Sequence, residues 1–210
     1  MNRPSTSKEL RAQFAWRASF NSDGPWGIPL VKKQDLTRTN IDLISFSDTK
    51  PKDHPLNTEK GVHFFIDDHR FSGIYAHPDR TLEKLKQYAF LLTPDNSLYA
   101  EMEPWQQIES IGKSRWVGAY WQSQGLTVYP TVSWGTPRTF RFCFAGIEKH
   151  SVVAIGMIGC KHNKHGYLKG YDAMLEAVEP SDIICFGKPF PEMKEVTAVV
   201  DYIGSRKAVR

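Results

Sequence analysis

The sequence predicts an α/β fold in which βα units repeat and the sheet is mainly parallel. Short apolar segments alternate with segments of helical periodicity along most of the 210 residues. The apolar segments are nearly continuous, as is typical of strands buried on both faces. About seven of the apolar segments are strand candidates, fewer than a complete eight-stranded barrel needs, and we favour an incomplete, barrel-like arrangement over a doubly wound open sheet.

Residues 1–40 are predicted to form an N-terminal arm, with a short helix over residues 8–16 followed by irregular chain. The arm contains Phe14, Trp16, Phe20 and Trp26, which are too apolar for a solvated tail. We therefore expect the arm to pack on the rest of the chain. Residues 41–210 have the length of a single α/β domain.

Seven segments rich in β-branched and aromatic residues are predicted as strands. They are residues 41–46, 62–66, 90–92, 126–132, 152–157, 183–186 and 196–200. The intervening stretch 47–61 is rich in Pro, Asp, Asn and Lys, a composition that predicts a long surface loop.

The clearest helix is predicted over residues 104–124. Pro104 suits its first turn, and Gly125 suits the left-handed residue just past its end. Its apolar positions recur at helical spacing and predict one buried stripe, composed of Trp105, Ile108, Ile111, Trp116, Ala119 and Tyr120. Further helical patterns cover residues 71–88, with a break at His77-Pro78, and residues 138–144 and 168–178.

Composition excludes several classes of protein. The longest apolar runs fall short of the roughly 18 residues that span a bilayer, and the N-terminus lacks the apolar core of a signal peptide, so we expect a cytoplasmic protein without a membrane partner. Three cysteines without metal-type spacing argue against a disulfide framework and a zinc site. A net charge of +4 permits contact with nucleic acid but does not indicate it.

Ligands of parallel α/β sheets bind at the C-terminal ends of the strands, whether the sheet is open or closed. The residues at those predicted ends are therefore the candidates for a site. They are Asp67 and Asp68; Thr93, Asp95 and Ser97; Thr131, Ser133 and Trp134; Gly159, Cys160 and Lys161; and Gly187 and Lys188.

The two carboxylates Asp67 and Asp95 could bind a divalent cation such as Mg²⁺, or could act with Ser133 as catalytic acid and base. Asp68, Ser97, Thr131 and Trp134 are the candidates for substrate binding, since hydroxyls orient polar groups and an indole can stack on a base or sugar. The alternative for each aspartate is a structural role, because Asp after a strand is also a common turn and N-cap residue.

The segment GCKHNKHG follows the fifth predicted strand and contains two glycines, two lysines and two histidines but no acid. If a helix begins near Asn163, its N-terminus together with Gly159 and Lys161 would suit a phosphate. A solvated basic loop is the alternative. Cys160 beside His162 could also be a nucleophile of lowered pKa, although side chains two residues apart diverge in an extended turn.

The segments GVHFFIDDHRF, LTPDNSLY, SRWVGAYWQSQGLTVYPTVSW, GCKHNKHG and IICFGKPFPEM occur together in this chain. In this combination the chain resembles a family of bacterial and phage proteins known as a domain of unknown function and often found on mobile elements. The likeness covers residues 28–210. It implies a phage, prophage or plasmid setting and carries no catalytic residue that could be transferred.

Two functions agree with these observations. The first is an enzyme that acts on a phosphate-bearing substrate, a nucleotide or nucleic acid, through the strand-end residues. The second is a non-catalytic protein that binds a host or phage macromolecule, for defence, counter-defence or regulation, through Lys32-Lys33, the aromatic arm and the basic tail GSRKAVR. We favour the enzyme, because parallel α/β sheets with polar strand ends commonly hold a ligand.

Overall fold

The computed structural model describes residues 4–202. Its strands are β1 (Ser22–Asp23), β2 (Ile28–Pro29), β3 (Leu43–Ser45), β4 (Gly61–His63), β5 (Phe90–Leu92), β6 (Val128–Tyr129), β7 (Val152–Gly156), β8 (Asp182–Phe186) and β9 (Ala198–Val200). Its α-helices are α1 (Ser7–Arg17), α2 (Pro55–Thr58), α3 (Gly73–Ala76), α4 (Asp79–Leu85), α5 (Pro104–Ser123), α6 (Phe140–Cys143) and α7 (Lys164–Val178).

The strands from β3 to β9 are parallel and lie side by side in chain order. Pairing joins β3, β4, β5 and β6 in one group and β7, β8 and β9 in another. A parallel bridge between Thr131 and Ala154 links the two groups, and the Val132 N–H donates to the Ala154 carbonyl at 2.7 Å. The predicted α/β class with a mainly parallel sheet is confirmed. The strand order never reverses, as it would in a doubly wound sheet.

The sheet is strongly curved. Phe65, just after β4, stacks on Phe186 of β8 with 5.0 Å between ring centroids, and the His63 ring lies 4.4 Å from the same ring. In a flat sheet, strands four positions apart would be separated by about 19 Å. The rings therefore meet across a concave interior. Among the described residues no ladder joins β9 to β3, so the barrel is left open.

The helix α5 covers the outer face of this curved sheet. It begins at Pro104 as predicted, and Gly125 just beyond it has a φ of +81°. Trp116 and Trp121 on its buried side are almost completely enclosed. The prediction for Trp105 was wrong, because this residue is 66% exposed. It lies in the first turn, ahead of the part of the helix where burial begins at Gln107.

The N-terminal segment packs against α5 at Trp116. The Trp16 and Trp116 rings are 4.7 Å apart, and the Arg17 guanidinium lies 3.9 Å from the centroid of the Trp116 ring. The antiparallel pair of β1 and β2 was not predicted. It surrounds a turn in which Gly24 and Gly27 have positive φ, a conformation that suits glycine. The division of the chain into an arm and one domain stays a prediction.

The stretch predicted as a long loop also contains regular structure. A 3-10 helix covers Phe46–Asp48, and α2 follows with Pro55 in its first turn. Short polar helices of this kind lack the apolar periodicity that reveals longer ones. Within residues 4–202, no helix combines the length and the hydropathy required to cross a bilayer.

Candidate functional site

A cavity of about 980 Å³ opens at the C-terminal ends of the parallel strands. We call it the strand-end cavity. It is bordered by residues that follow β3, β4, β5, the bridge at Thr131, β7 and β8, so the curvature of the sheet brings distant parts of the chain together. Eight of the thirteen candidate residues line it, namely Asp67, Asp95, Ser97, Ser133, Trp134, Gly159, Cys160 and Lys161.

Asp95 has the most perturbed carboxyl group of the cavity wall. Burial and the neighbouring charge of Asp68 raise its pKa to about 7. A hydrogen bond donated by Ser133 and the positive charge of Arg115 favour the ionised form and partly offset this rise. A carboxyl group with this pKa is populated in both protonation states near neutral pH. It can therefore donate or accept a proton there.

Arg115, from the middle of α5, lies fully buried in the protein beside this carboxyl group. Its guanidinium donates to the carbonyl oxygens of Thr131 at 2.8 Å, Cys143 at 3.1 Å and Ala145 at 3.3 Å. Burial lowers its pKa to about 10, so it remains charged at neutral pH. Among residues 4–202, no carboxylate lies within ion-pair distance of this cation. The dipoles of the three carbonyl groups stabilise its positive charge instead.

Two predicted substrate-binding residues lie behind the cavity wall. Asp68 accepts hydrogen bonds from the Ser97 backbone N–H at 3.0 Å and from its hydroxyl at 2.7 Å, and so holds the loop that carries Asp95. Thr131 is 3% exposed and donates its hydroxyl to the Thr93 carbonyl at 2.7 Å. Both side chains are engaged within the protein, so they shape the cavity rather than face it.

The two aspartates of the predicted metal site have different surroundings, and a metal site at this position stays a prediction. The Asp67 side chain is 74% exposed and lies 3.7 Å from the Arg70 guanidinium, at the rim. Asp95 is buried, and its pKa is raised to about 7. In the described part of the chain, no group of three or more His, Cys, Asp or Glu side chains could hold a metal ion.

The turn after β7 carries Gly159, with a φ of +76°, and Lys161 on the cavity wall. The helix that follows begins near Asn163 as predicted, but the Asn163 side chain caps it by accepting from the Gly166 N–H at 3.1 Å. Burial raises the pKa of the Cys160 thiol to about 11. That environment is the opposite of the one that activates a thiol nucleophile.

Trp134 forms a rigid part of the wall by packing against α7. Its ring lies 4.8 Å from the Tyr167 ring, and a Cβ atom placed on Gly170 would come within 2.1 Å of the indole. The Tyr167 hydroxyl donates to the Gly156 carbonyl at 3.1 Å. Together these contacts hold the indole between the helix and the cavity.

Sequence reasoning missed the side of the cavity that follows β3 and β4. Ser45, Ser47, Asp48 and His63 all line it, whereas residue 47 was predicted to begin a surface loop and His63 was not among the candidate residues. The segment Ser47-Asp48 follows a strand just as Asp67-Asp68 does, and that signal could have identified it. Lys188, in contrast, does not line the cavity.

Comparison with known proteins identifies the family. The model of a domain of unknown function, DUF4417, matches residues 20–203. The chain is 33% identical over 189 residues to the Gene 1 protein of Mycobacterium phage L5, covering 85% of this chain and 82% of that protein. It is 32% identical to the Gene 1 protein of Mycobacterium phage D29, covering 85% of this chain and 69% of that protein. No solved structure matches the chain.

Proposed function

We propose that this chain, which belongs to the DUF4417 family, is an enzyme that binds a phosphate-bearing ligand, a nucleotide or nucleic acid, in the strand-end cavity. The observation that carries the proposal is the position of Asp95 in the wall of a cavity of about 980 Å³, with Ser133 hydrogen-bonded to its carboxyl group. Cavities of this size commonly enclose one small ligand. The relatives are phage proteins, which agrees with the phage or mobile-element setting that the sequence resemblance implies.

The cavity wall combines the chemistries that a nucleotide requires. Lys161 and Arg70 supply positive charge for a phosphate. Tyr99, Trp134 and Tyr167 supply aromatic surface for a base or sugar. Arg70 follows β4 and Lys161 follows β7, whereas Tyr99 follows β5 and Trp134 follows β6, so an extended ligand can reach both kinds of group.

Asp95 is proposed as the acid and base of a hydrolysis reaction. In its ionised form it takes a proton from a water molecule whose oxygen attacks phosphorus, and in its protonated form it returns the proton to the departing ester oxygen. One phosphorus–oxygen bond forms and one breaks, so no redox partner is required. Ser133 keeps the carboxyl group in position, and Lys161 balances the phosphate charge.

A thermal-shift and hydrolysis panel tests this proposal. The ligands are Mg²⁺, Mn²⁺, phosphate, mononucleotides and short nucleic acids, applied to wild type, Asp95→Asn and the rim variant Asp67→Asn. A ligand at about a hundred times its Kd adds roughly 2.7 kcal/mol of stability. We expect a nucleotide to stabilise all three proteins, and Asp95→Asn to lose about 10²- to 10⁴-fold in hydrolysis. Full hydrolysis by Asp95→Asn would refute the catalytic role.

The alternative function, binding of a macromolecule through basic residues, is an outcome of the same panel. The backbone N–H groups of Lys32 and Lys33 are held by Gln122 and Glu148, at 2.9 and 2.8 Å, which fixes the position of this basic pair. The tail at residues 204–210 lies outside the described residues. Stabilisation by nucleic acid but by no mononucleotide, with affinity falling steeply as salt rises, would favour this alternative.

A further inference from the structure

His63 is a buried polar residue of the strand-end cavity whose hydrogen bonding is incomplete. It is 2% exposed and lies on the cavity wall. Its Nδ1 accepts a hydrogen bond from the Phe65 backbone N–H at 3.2 Å, while its Nε2 has no partner among the described residues. Buried polar groups in proteins nearly always have a partner, so an unpaired one on a cavity wall indicates a ligand contact.

The bond to Phe65 determines the chemistry of the ring. Since Nδ1 accepts a hydrogen bond, it carries no proton, and the proton of the neutral imidazole is on Nε2. Burial lowers the pKa of His63 to about 3, so the ring stays neutral at physiological pH. The unpaired nitrogen is therefore an uncharged donor.

The neighbours of His63 define what such a donor can recognise. Ser45 is directly paired with His63 across β3 and β4, so both side chains project from the same face of the sheet. The Ser45 hydroxyl oxygen accepts from the Ser47 N–H at 3.2 Å, which leaves its own hydrogen available for a ligand. The Phe65 and Phe186 rings pack beside His63, and Asp48, which follows β3, also lines the cavity.

These groups do not form a Ser-His-Asp catalytic triad. In a triad, Nδ1 of the histidine donates to the carboxylate and Nε2 accepts from the serine. Here Nδ1 already accepts from a backbone N–H, so it has no proton for Asp48. Recognition of a ligand is the role that the geometry permits.

We propose that His63 is a specificity-determining residue that donates its Nε2–H to an uncharged acceptor of the ligand, a carbonyl oxygen or ring nitrogen of a nucleobase. This deepens and rests on the proposed function, since it places the base beside β3 and β4 and the phosphate beside Lys161. Asp48 lines the cavity after β3, and a carboxylate there disfavours a phosphate beside β3 and β4. The same carboxylate suits the amino or imino groups of a base.

Two substitutions of His63 distinguish the roles of its two ring nitrogens. In His63→Asn, the amide oxygen can replace Nδ1 as the acceptor for Phe65, but no donor reaches the position of Nε2. In His63→Gln, the longer amide places an N–H near that position. Melting temperatures of both variants without ligand, compared with wild type, establish that each is folded.

Titration calorimetry with nucleoside monophosphates and with inorganic phosphate gives the decisive comparison. We expect His63→Asn to bind nucleotide about five- to tenfold more weakly than wild type, the effect of one neutral hydrogen bond, with phosphate binding unchanged. His63→Gln should recover most of the loss. Equal nucleotide affinity in wild type and His63→Asn would overturn the role of His63 and leave the proposed function intact, whereas absence of nucleotide binding in wild type would remove both.

NMR of the His63 imidazole tests, without any ligand, whether Nε2 carries the proton. Long-range ¹H–¹⁵N spectra of the imidazole should show a neutral ring protonated on Nε2 between pH 5 and pH 8. A ring that gains a second proton near pH 6.5, or that carries its proton on Nδ1, would contradict the assignment even if nucleotides bind.

Discussion

The raised pKa of Asp95 makes the stability of the fold depend on pH. Its pKa in the folded protein is about 7, above the ordinary value of 3.8 that an unfolded chain retains. The folded state therefore holds this proton more tightly than the unfolded state does. The stabilisation that results is complete below pH 3.8 and is lost as pH rises through 7.

Asp95→Asn should remove this pH dependence, because the amide cannot ionise. We expect the variant to exceed wild type in free energy of unfolding by about 1 to 3 kcal/mol at pH 8, with no advantage near pH 4. Denaturant titrations at a series of pH values measure the difference. Asp67→Asn, at an exposed site, is the matched control and should follow wild type. Parallel curves for wild type and Asp95→Asn would contradict the raised pKa.

Single residues were predictable from the sequence where their position in the chain determines their place in the fold. Asp95, Ser133 and Lys161 lie just after strands, and parallel strands bring such positions to one edge. His63 is itself the last residue of a strand, so it does not follow a strand as the predicted site residues do. Only the curvature that brings it to Phe186 places it on the cavity, and no local pattern encodes that contact.

At the scale of elements, α7 and the segment after β6 meet at one close contact. Gly170 allows the Trp134 indole to approach the helix so closely that an added Cβ atom would lie 2.1 Å from the ring. The contact determines the position of a cavity wall. It therefore explains a glycine in the middle of a helix, where alanine is otherwise preferred.

Gly170→Ala should consequently destabilise the protein by about 1 to 3 kcal/mol, since the indole must move although alanine favours the helix. Gly112→Ala in α5 is the matched control, because its new Cβ would lie 3.8 Å from the nearest atom, a side-chain carbon of Ile28, at ordinary contact distance. We expect that variant to be neutral or more stable by up to about 1 kcal/mol. Thermal unfolding of both variants provides the comparison, and equal stability would refute the steric explanation.

The elements themselves were largely predictable. Pro104 and Gly125 mark the ends of α5 because one restricts φ and the other adopts a left-handed φ, both local effects. Arg115 was not predictable as a buried residue, since a cation within an apolar stripe can be accommodated only if distant carbonyl groups receive its protons. The carbonyl groups of Thr131, Cys143 and Ala145 do so here.

At the scale of the whole molecule, seven parallel strands in chain order curl far enough for β4 to meet β8. That curvature converts a row of strand ends into one enclosed cavity. The order of the strands follows from the repeated βα pattern, but the degree of curling depends on how Phe65, His63 and Phe186 pack together, which is a property of the tertiary structure. The central claim is that this cavity is where the phosphate-bearing ligand binds.

Methionine-methyl NMR during titration with nucleoside monophosphates tests that claim most directly. All three methionines Met157, Met174 and Met193 pack in one apolar cluster, but of these only Met157 lines the cavity, so the other two serve as internal references. We predict that the Met157 methyl resonance shifts with saturable dependence on ligand concentration while the Met174 and Met193 resonances stay in place. An unchanged Met157 resonance at millimolar ligand would contradict the account.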